Sequence, residues 1–97
     1  MSGYQSDFTL ERGLCVFPGY NWCGPGCSGP GAPVNGVDTC CMYHDICYQQ
    51  YGASCFCDRA FMDCLRAKIN PYTLEGRHAN TIYNYMKFQQ LFTCLFR

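Results

Sequence analysis

Four cysteines restrict this chain more than any other feature. Cys40 and Cys47 stand seven positions apart, and so do Cys57 and Cys64. Seven residues make close to two turns of α-helix, so each pair lies along one helix face. In two antiparallel helices, facing positions have residue numbers with a constant sum. Cys40 with Cys64 and Cys47 with Cys57 share one sum. Bridges at those positions clamp an antiparallel helix pair at both ends.

The full cysteine count agrees. Ten cysteines in 97 residues are several times ordinary usage, and an even number permits five bridges with no leftover thiol. The expected compartment is therefore oxidising, secreted or luminal. A zinc cluster lacks its spacing: an adjacent pair, Cys40-Cys41, and a Cys-x-Cys, Cys55 and Cys57, replace the paired CxxC motifs. The length expects one domain over 1–97, small enough for bridges to matter.

Several function classes drop out. Seven basic and seven acidic residues give zero formal charge, and without a Lys/Arg run there is no footprint for nucleic acid. No apolar stretch approaches the roughly 20 residues of a transmembrane helix. The polar start Met1–Asp7 lacks the apolar centre of a signal peptide. A removed leader or an unconventional export route is the expectation there.

In order, residues 1–20 carry scattered apolar side chains around Cys15 and read as a packed N-terminal arm. Residues 19–36 hold six glycines and three prolines, which excludes helix and central strand. Cys23 and Cys27 bracket Gly24-Pro25-Gly26. Such a pinned loop can aim several carbonyls at one point, the arrangement a hard cation such as calcium takes. Residues 37–51 read as a helix capped by Asp38 or Thr39. A turn at 52–54 leads to a second helix over 55–68, with basic residues in its last turn. Residues 69–78 read as a loop, and a third helical pattern runs from about Ala79 to Phe96.

The chemistry concentrates at Cys40-Cys41-Met42-Tyr43-His44-Asp45-Ile46-Cys47-Tyr48. His44 lies midway between the two expected bridges, and the antiparallel register puts Asp58 within about a turn of it. A histidine near its ordinary pKa takes a proton from water at neutral pH. A carboxylate on its other nitrogen fixes the tautomer and stabilises the imidazolium. With the cysteines oxidised, water is the nucleophile. A cation held by Asp45 and the glycine loop, with a glycine N–H, would meet the oxyanion.

These residues resemble the secreted phospholipases A2. Cys40–Cys47 matches the signature Cys-Cys-x-x-His-Asp-x-Cys, and Trp22-Cys23-Gly24-Pro25-Gly26 is similar to the family's calcium loop in its bee-venom form. Residues 55–65 resemble the segment that supplies the second aspartate. The resemblance covers residues 20–65 well. It implies a mainly α, disulfide-rich fold: two antiparallel clamped helices, an N-terminal calcium-binding loop and a third, C-terminal helix.

It also implies calcium-dependent hydrolysis of the sn-2 ester of glycerophospholipids at a membrane or micelle surface. His44 is then the general base and Asp58 its orienter. Asp45 and the carbonyls of Trp22, Gly24 and Gly26 hold calcium, and the Gly24 N–H helps hold the oxyanion. The resemblance adds the pairings Cys23–Cys41 and Cys55–Cys94, which leave Cys15 with Cys27.

The chain departs from the pattern in places. Seven residues between Cys47 and Cys55 are too few for the β-hairpin wing of many members. The tyrosine that supports Asp58 is Tyr48, Tyr83 or Tyr85. His78 reads as a solvated bystander, and Trp22 and Phe17 as lipid anchors or core residues. A silent relative using the scaffold for binding is the rival function. The intact His44, Asp45, Asp58 and glycine pair favour the enzyme.

Overall fold

The computed structural model describes residues 15, 17–24 and 27–95 of the chain. The N-terminal arm over 1–14, Val16, Pro25, Gly26 and the last two residues lie outside them. Three helices follow one another: α1 over Gly36–Tyr51, α2 over Cys55–Arg66 and α3 over Leu74–Leu95. No strand occurs among the described residues. The mainly α, disulfide-rich architecture implied by the resemblance is what the chain adopts, around the helix pair expected from the cysteine spacing.

Helix α1 starts at Gly36 because Asn35, not Asp38 or Thr39, caps it. The Asn35 side chain accepts from the Asp38 N–H at 2.8 Å, satisfying one of the orphan donors of a helix start. The helix stops at Gly52, whose φ of 75° is a left-handed value that glycine adopts without a Cβ penalty. Its N–H closes the last turn onto the Tyr48 carbonyl at 2.8 Å.

Helix α2 buries Cys57, Asp58, Phe61, Met62 and Leu65 along one stripe. This spacing of one, four, five and eight is the core face of an amphipathic helix. Arg66 sits in the last turn, where it complements the negative end of the macrodipole. Helix α2 packs against both neighbours, which places Asp58 between α1 and α3.

All five bridges form and no described cysteine is free. Cys40–Cys64 and Cys47–Cys57 clamp α1 to α2 in antiparallel register. Cys23–Cys41 ties the glycine loop to α1, Cys55–Cys94 ties the start of α2 to the end of α3, and Cys15–Cys27 closes the loop on its N-terminal side. Val37, Leu65 and Ala79 are fully buried at the centre, with Ile82 and Met86 of α3 beside them.

Three boundaries differ from the sequence expectation, the start of α1 by only one residue. Helix α2 ends two residues early, at Arg66. Helix α3 begins at Leu74, inside the stretch expected as loop. There Thr73 Oγ1 accepts from the Gly76 N–H at 3.0 Å, as an N-terminal cap does. Gly76 is placed so close to Asn70 that a Cβ would overlap the Asn70 main chain. Gly76, in the stretch expected as loop, is a point of close packing inside α3.

Candidate active site

His44 lies on α1, one turn after Cys40, and Asp58 lies in the first turn of α2. The Cys40–Cys64 and Cys47–Cys57 bridges fix the register between them. His44 Nε2 is 2.8 Å from Asp58 Oδ1. A carboxylate only accepts, so Nε2 carries the proton and Nδ1 is the unprotonated nitrogen. The imidazole is sandwiched: its ring stacks on Phe61 at 4.2 Å and 15°, and Tyr48 tilts against it at 4.2 Å. Burial lowers the His44 pKa from its usual value, outweighing the opposing bond and charge of Asp58. That keeps the ring in the neutral form that can accept a proton.

Asp58 is fully buried and its carboxylate is satisfied on both oxygens. Tyr48 donates its hydroxyl to Oδ1 at 2.6 Å. Thr93 of α3 donates to Oδ2 at 2.6 Å. Tyr48 is thus the tyrosine of the three candidates that reaches Asp58. Tyr83 packs against the core and Tyr85 is exposed, bonding Gln89 at 3.4 Å. Burial, reinforced by the Asp58 bond, pushes the Tyr48 phenol up to about 12, so it remains a donor. The Cys55–Cys94 bridge was the available signal for Thr93, because it sets position 93 beside the first turn of α2.

Asp45 follows His44 and lines with it a cavity of about 660 Å³. Trp22, Gly24 and Ser28 of the loop line that cavity, as do His44, Asp45 and Tyr48 of α1. Phe61, Ile82 and Met86 give it an apolar wall. Asp45 is half-buried and accepts from Ser28 Oγ at 3.4 Å. Neither ion pair recorded among the described residues involves it. Burial pushes its carboxyl up to about 6. Such a desolvated carboxylate without a cationic side chain is a fitting ligand for a cation.

No three His, Cys, Asp or Glu side chains gather as a metal cluster among the described residues, so a metal here would draw on main-chain oxygens. Gly24 is suited to supply one. Its φ of 126° is a glycine conformation, and its carbonyl already turns to accept from Cys27 N–H at 3.0 Å. Gly26 lies outside the described residues.

Asp38 organises that loop. It is fully buried at the start of α1. Its Oδ1 accepts from the Trp22 N–H at 2.8 Å, and Oδ2 from Asn21 N–H and Val34 N–H, each at 3.0 Å. The side chain that reads as a helix cap instead gathers three loop amides. The Trp22 indole donates to Gly31 O at 3.0 Å and lies over Gly29, where a Cβ would meet it at 2.7 Å.

His78 is not a bystander. It is half-buried, stacks on Phe17 at 3.6 Å and meets the Tyr20 hydroxyl through Nδ1 at 2.9 Å. The same hydroxyl accepts from Asn35 Nδ2 at 3.0 Å, so α3 is linked to the cap of α1. Phe17 and Trp22 both pack against the core.

Comparisons of the sequence with known proteins point to one family. A family model described as a phospholipase A2-like domain matches residues 13–93. A hormotoxin phospholipase A2 of Adamsia palliata is 59% identical over 27 residues, which are 28% of this chain and 16% of that protein. An acidic phospholipase A2 of Austrelaps superbus is 32% identical over 91 residues, 93% of this chain and 49% of that one. Another, of Naja sagittifera, is 35% identical over 68 residues, 63% of this chain and 47% of that one. The chain therefore spans at most about half the length of these relatives. No solved structure matches it.

Proposed function

This chain belongs to the phospholipase A2-like domain family, and on that premise we propose that it is a calcium-dependent phospholipase A2. In this reading a single domain over 1–97, acting outside the cell, hydrolyses the sn-2 ester of glycerophospholipids. The observation that carries it is one cavity lined by both His44, backed by the buried Asp58, and the cation-suited Asp45.

His44 acts as general base. Its Nδ1 takes a proton from a water molecule, whose oxygen forms a bond to the sn-2 carbonyl carbon. Asp58, accepting the Nε2–H, stabilises the imidazolium. The imidazolium returns its proton to the leaving glycerol oxygen as the ester C–O bond breaks, giving a fatty acid and a lysophospholipid. The Gly24 N–H donates to the oxyanion formed on the way. Asp45 and the main-chain carbonyls of Trp22, Gly24 and Gly26 are the groups that would hold calcium. When bound, the ion supplies a Lewis acid for the ester carbonyl.

A phospholipid surface is the partner. Tyr85, Phe88, Phe92 and Leu95 are all exposed on α3, and their spacing of three, four and three puts them on one stripe. Tyr85 also lines the cavity, so the apolar stripe borders its mouth. No helix among the described residues is long and apolar enough to cross a membrane, so contact through this stripe is peripheral. Zero formal charge implies little preference for anionic over zwitterionic lipid.

The test is fatty-acid release from vesicles of a phospholipid with two different acyl chains. The sn-2 acid is expected, with release stopped by a chelator and by Asp45→Asn. Equal release from both positions, or release indifferent to calcium, refutes the reading.

A further inference from the structure

We infer that Thr93 is a positioning residue for the reaction proposed above, holding the Asp58 carboxylate in the plane that His44 requires. The proposal rests on the lipolytic reading and deepens it at a residue of α3.

Asp58 has two oxygens with unequal duties. Oδ1 accepts from both His44 Nε2–H and the Tyr48 hydroxyl. Oδ2 has one recorded donor among the described residues, the Thr93 hydroxyl. Donors on Oδ1 alone leave the carboxylate free to turn about its Cβ–Cγ bond, because they hold it at one point. A donor on Oδ2 supplies the second point and fixes the plane. Asp58 is fully buried and Thr93 nearly so, so water does not take over when the hydroxyl is lost.

The choice the Thr93 hydroxyl makes supports this role. A threonine inside a helix ordinarily turns its hydroxyl back to a carbonyl three or four residues earlier. Here the Gln90 carbonyl is available at 3.4 Å, while Asp58 Oδ2 is at 2.6 Å. The hydroxyl has one proton, and the short charge-assisted bond takes it. Chain connectivity holds the geometry. Cys94, the next residue, is bridged to Cys55, three positions before Asp58, so bridge and hydrogen bond join the same turns of α2 and α3. The apolar stripe of α3 and the hydroxyl that holds the base-orienting carboxylate of α2 are therefore on one stapled helix.

Loss of a hydrogen bond to a buried charged group corresponds to about a ten- to hundredfold change in rate when the group acts in the transition state. The experiment measures kcat and KM on mixed-chain phospholipid vesicles for the parent chain, Thr93→Val, Thr93→Ala and Thr93→Ser. The NMR signal of the His44 Nε2–H proton is followed in each. Expected is a kcat about ten- to hundredfold lower for Thr93→Val and Thr93→Ala with KM within about twofold. The Nε2–H signal should move in both, and Thr93→Ser should restore rate and signal.

Variants without a hydroxyl that retain parental kcat, or an Nε2–H signal that does not move, overturn the positioning role alone. A Thr93→Ser chain as slow as Thr93→Val also overturns it, in favour of packing. A parent chain that releases no fatty acid overturns the lipolytic reading and this role with it. The two failures are thereby distinguished. If Thr93→Val does not fold, Thr93→Ala and Thr93→Ser decide the matter.

Discussion

Replacing Asp38 by asparagine tests how the loop beside the cavity is held. The carboxylate accepts three main-chain N–H groups from Asn21, Trp22 and Val34 at 2.8–3.0 Å. An amide of the same shape has one acceptor oxygen. Placed at Oδ2, it keeps the Asn21 and Val34 bonds but turns its NH2 toward the Trp22 N–H. Two bonds then fall from charged to neutral strength, losing about 1 kcal/mol each, and a third is lost with its donor unpaired, about 2 kcal/mol. Burying a neutral amide instead of a charge returns part of this. The net expectation is about 2–4 kcal/mol of destabilisation.

Guanidinium unfolding of the oxidised chain measures it, because the midpoint shifts at constant slope when only stability changes. Calorimetric calcium titration of the same variant should show weaker binding, since the Trp22 and Gly24 backbone is no longer set. An unfolding free energy within about 0.5 kcal/mol of the parent, the range of an ordinary surface change, refutes the claim that Asp38 organises the loop.

Three other outcomes are expected. Gly76→Ala forces a Cβ onto the Asn70 main chain and should lower stability by about 2 kcal/mol or more, read as a thermal midpoint; an unchanged midpoint contradicts the packing at the α2–α3 junction. Removing the Cys47–Cys57 bridge, whose ends are 10 residues apart, should lower stability by about 3 kcal/mol on the chain-entropy account, again by denaturant unfolding. Phe88→Ser should weaken sedimentation with zwitterionic vesicles about tenfold or more, as expected when a largely exposed ring no longer enters lipid; equal binding refutes the stripe as the lipid contact.

The clamped helix pair was legible in the sequence because it rests on arithmetic. Helix period and antiparallel register leave little freedom once four cysteines are spaced by seven. The His44–Asp58 approach follows from the same register. The oxygen partners of Asp58 were only half legible. Tyr48 was one of three candidates, and choosing among them needs the direction of each side chain, which periodicity does not give. Thr93 went unnoticed because a threonine in a helix is ordinarily satisfied locally.

Asp38 and His78 were misread for a related reason. A polar residue at a helix start or in a loop has a sufficient local role, as a cap or a solvated group. Tertiary partners 16 and 58 positions away took them over. Gly76 shows the reverse case: a residue of the stretch expected as loop sits inside α3 because only its lack of a side chain lets the connection pass. The bee-venom form of the Trp22–Gly26 loop stands as a resemblance of sequence.

The most direct test of the account is sn-2 fatty-acid release by the parent chain and by His44→Gln, each with calcium and with chelator. The account predicts release by the parent in calcium only, and a fall of about a hundredfold or more in His44→Gln, with its five bridges and unfolding midpoint preserved. Release that survives both the chelator and the loss of His44 contradicts it.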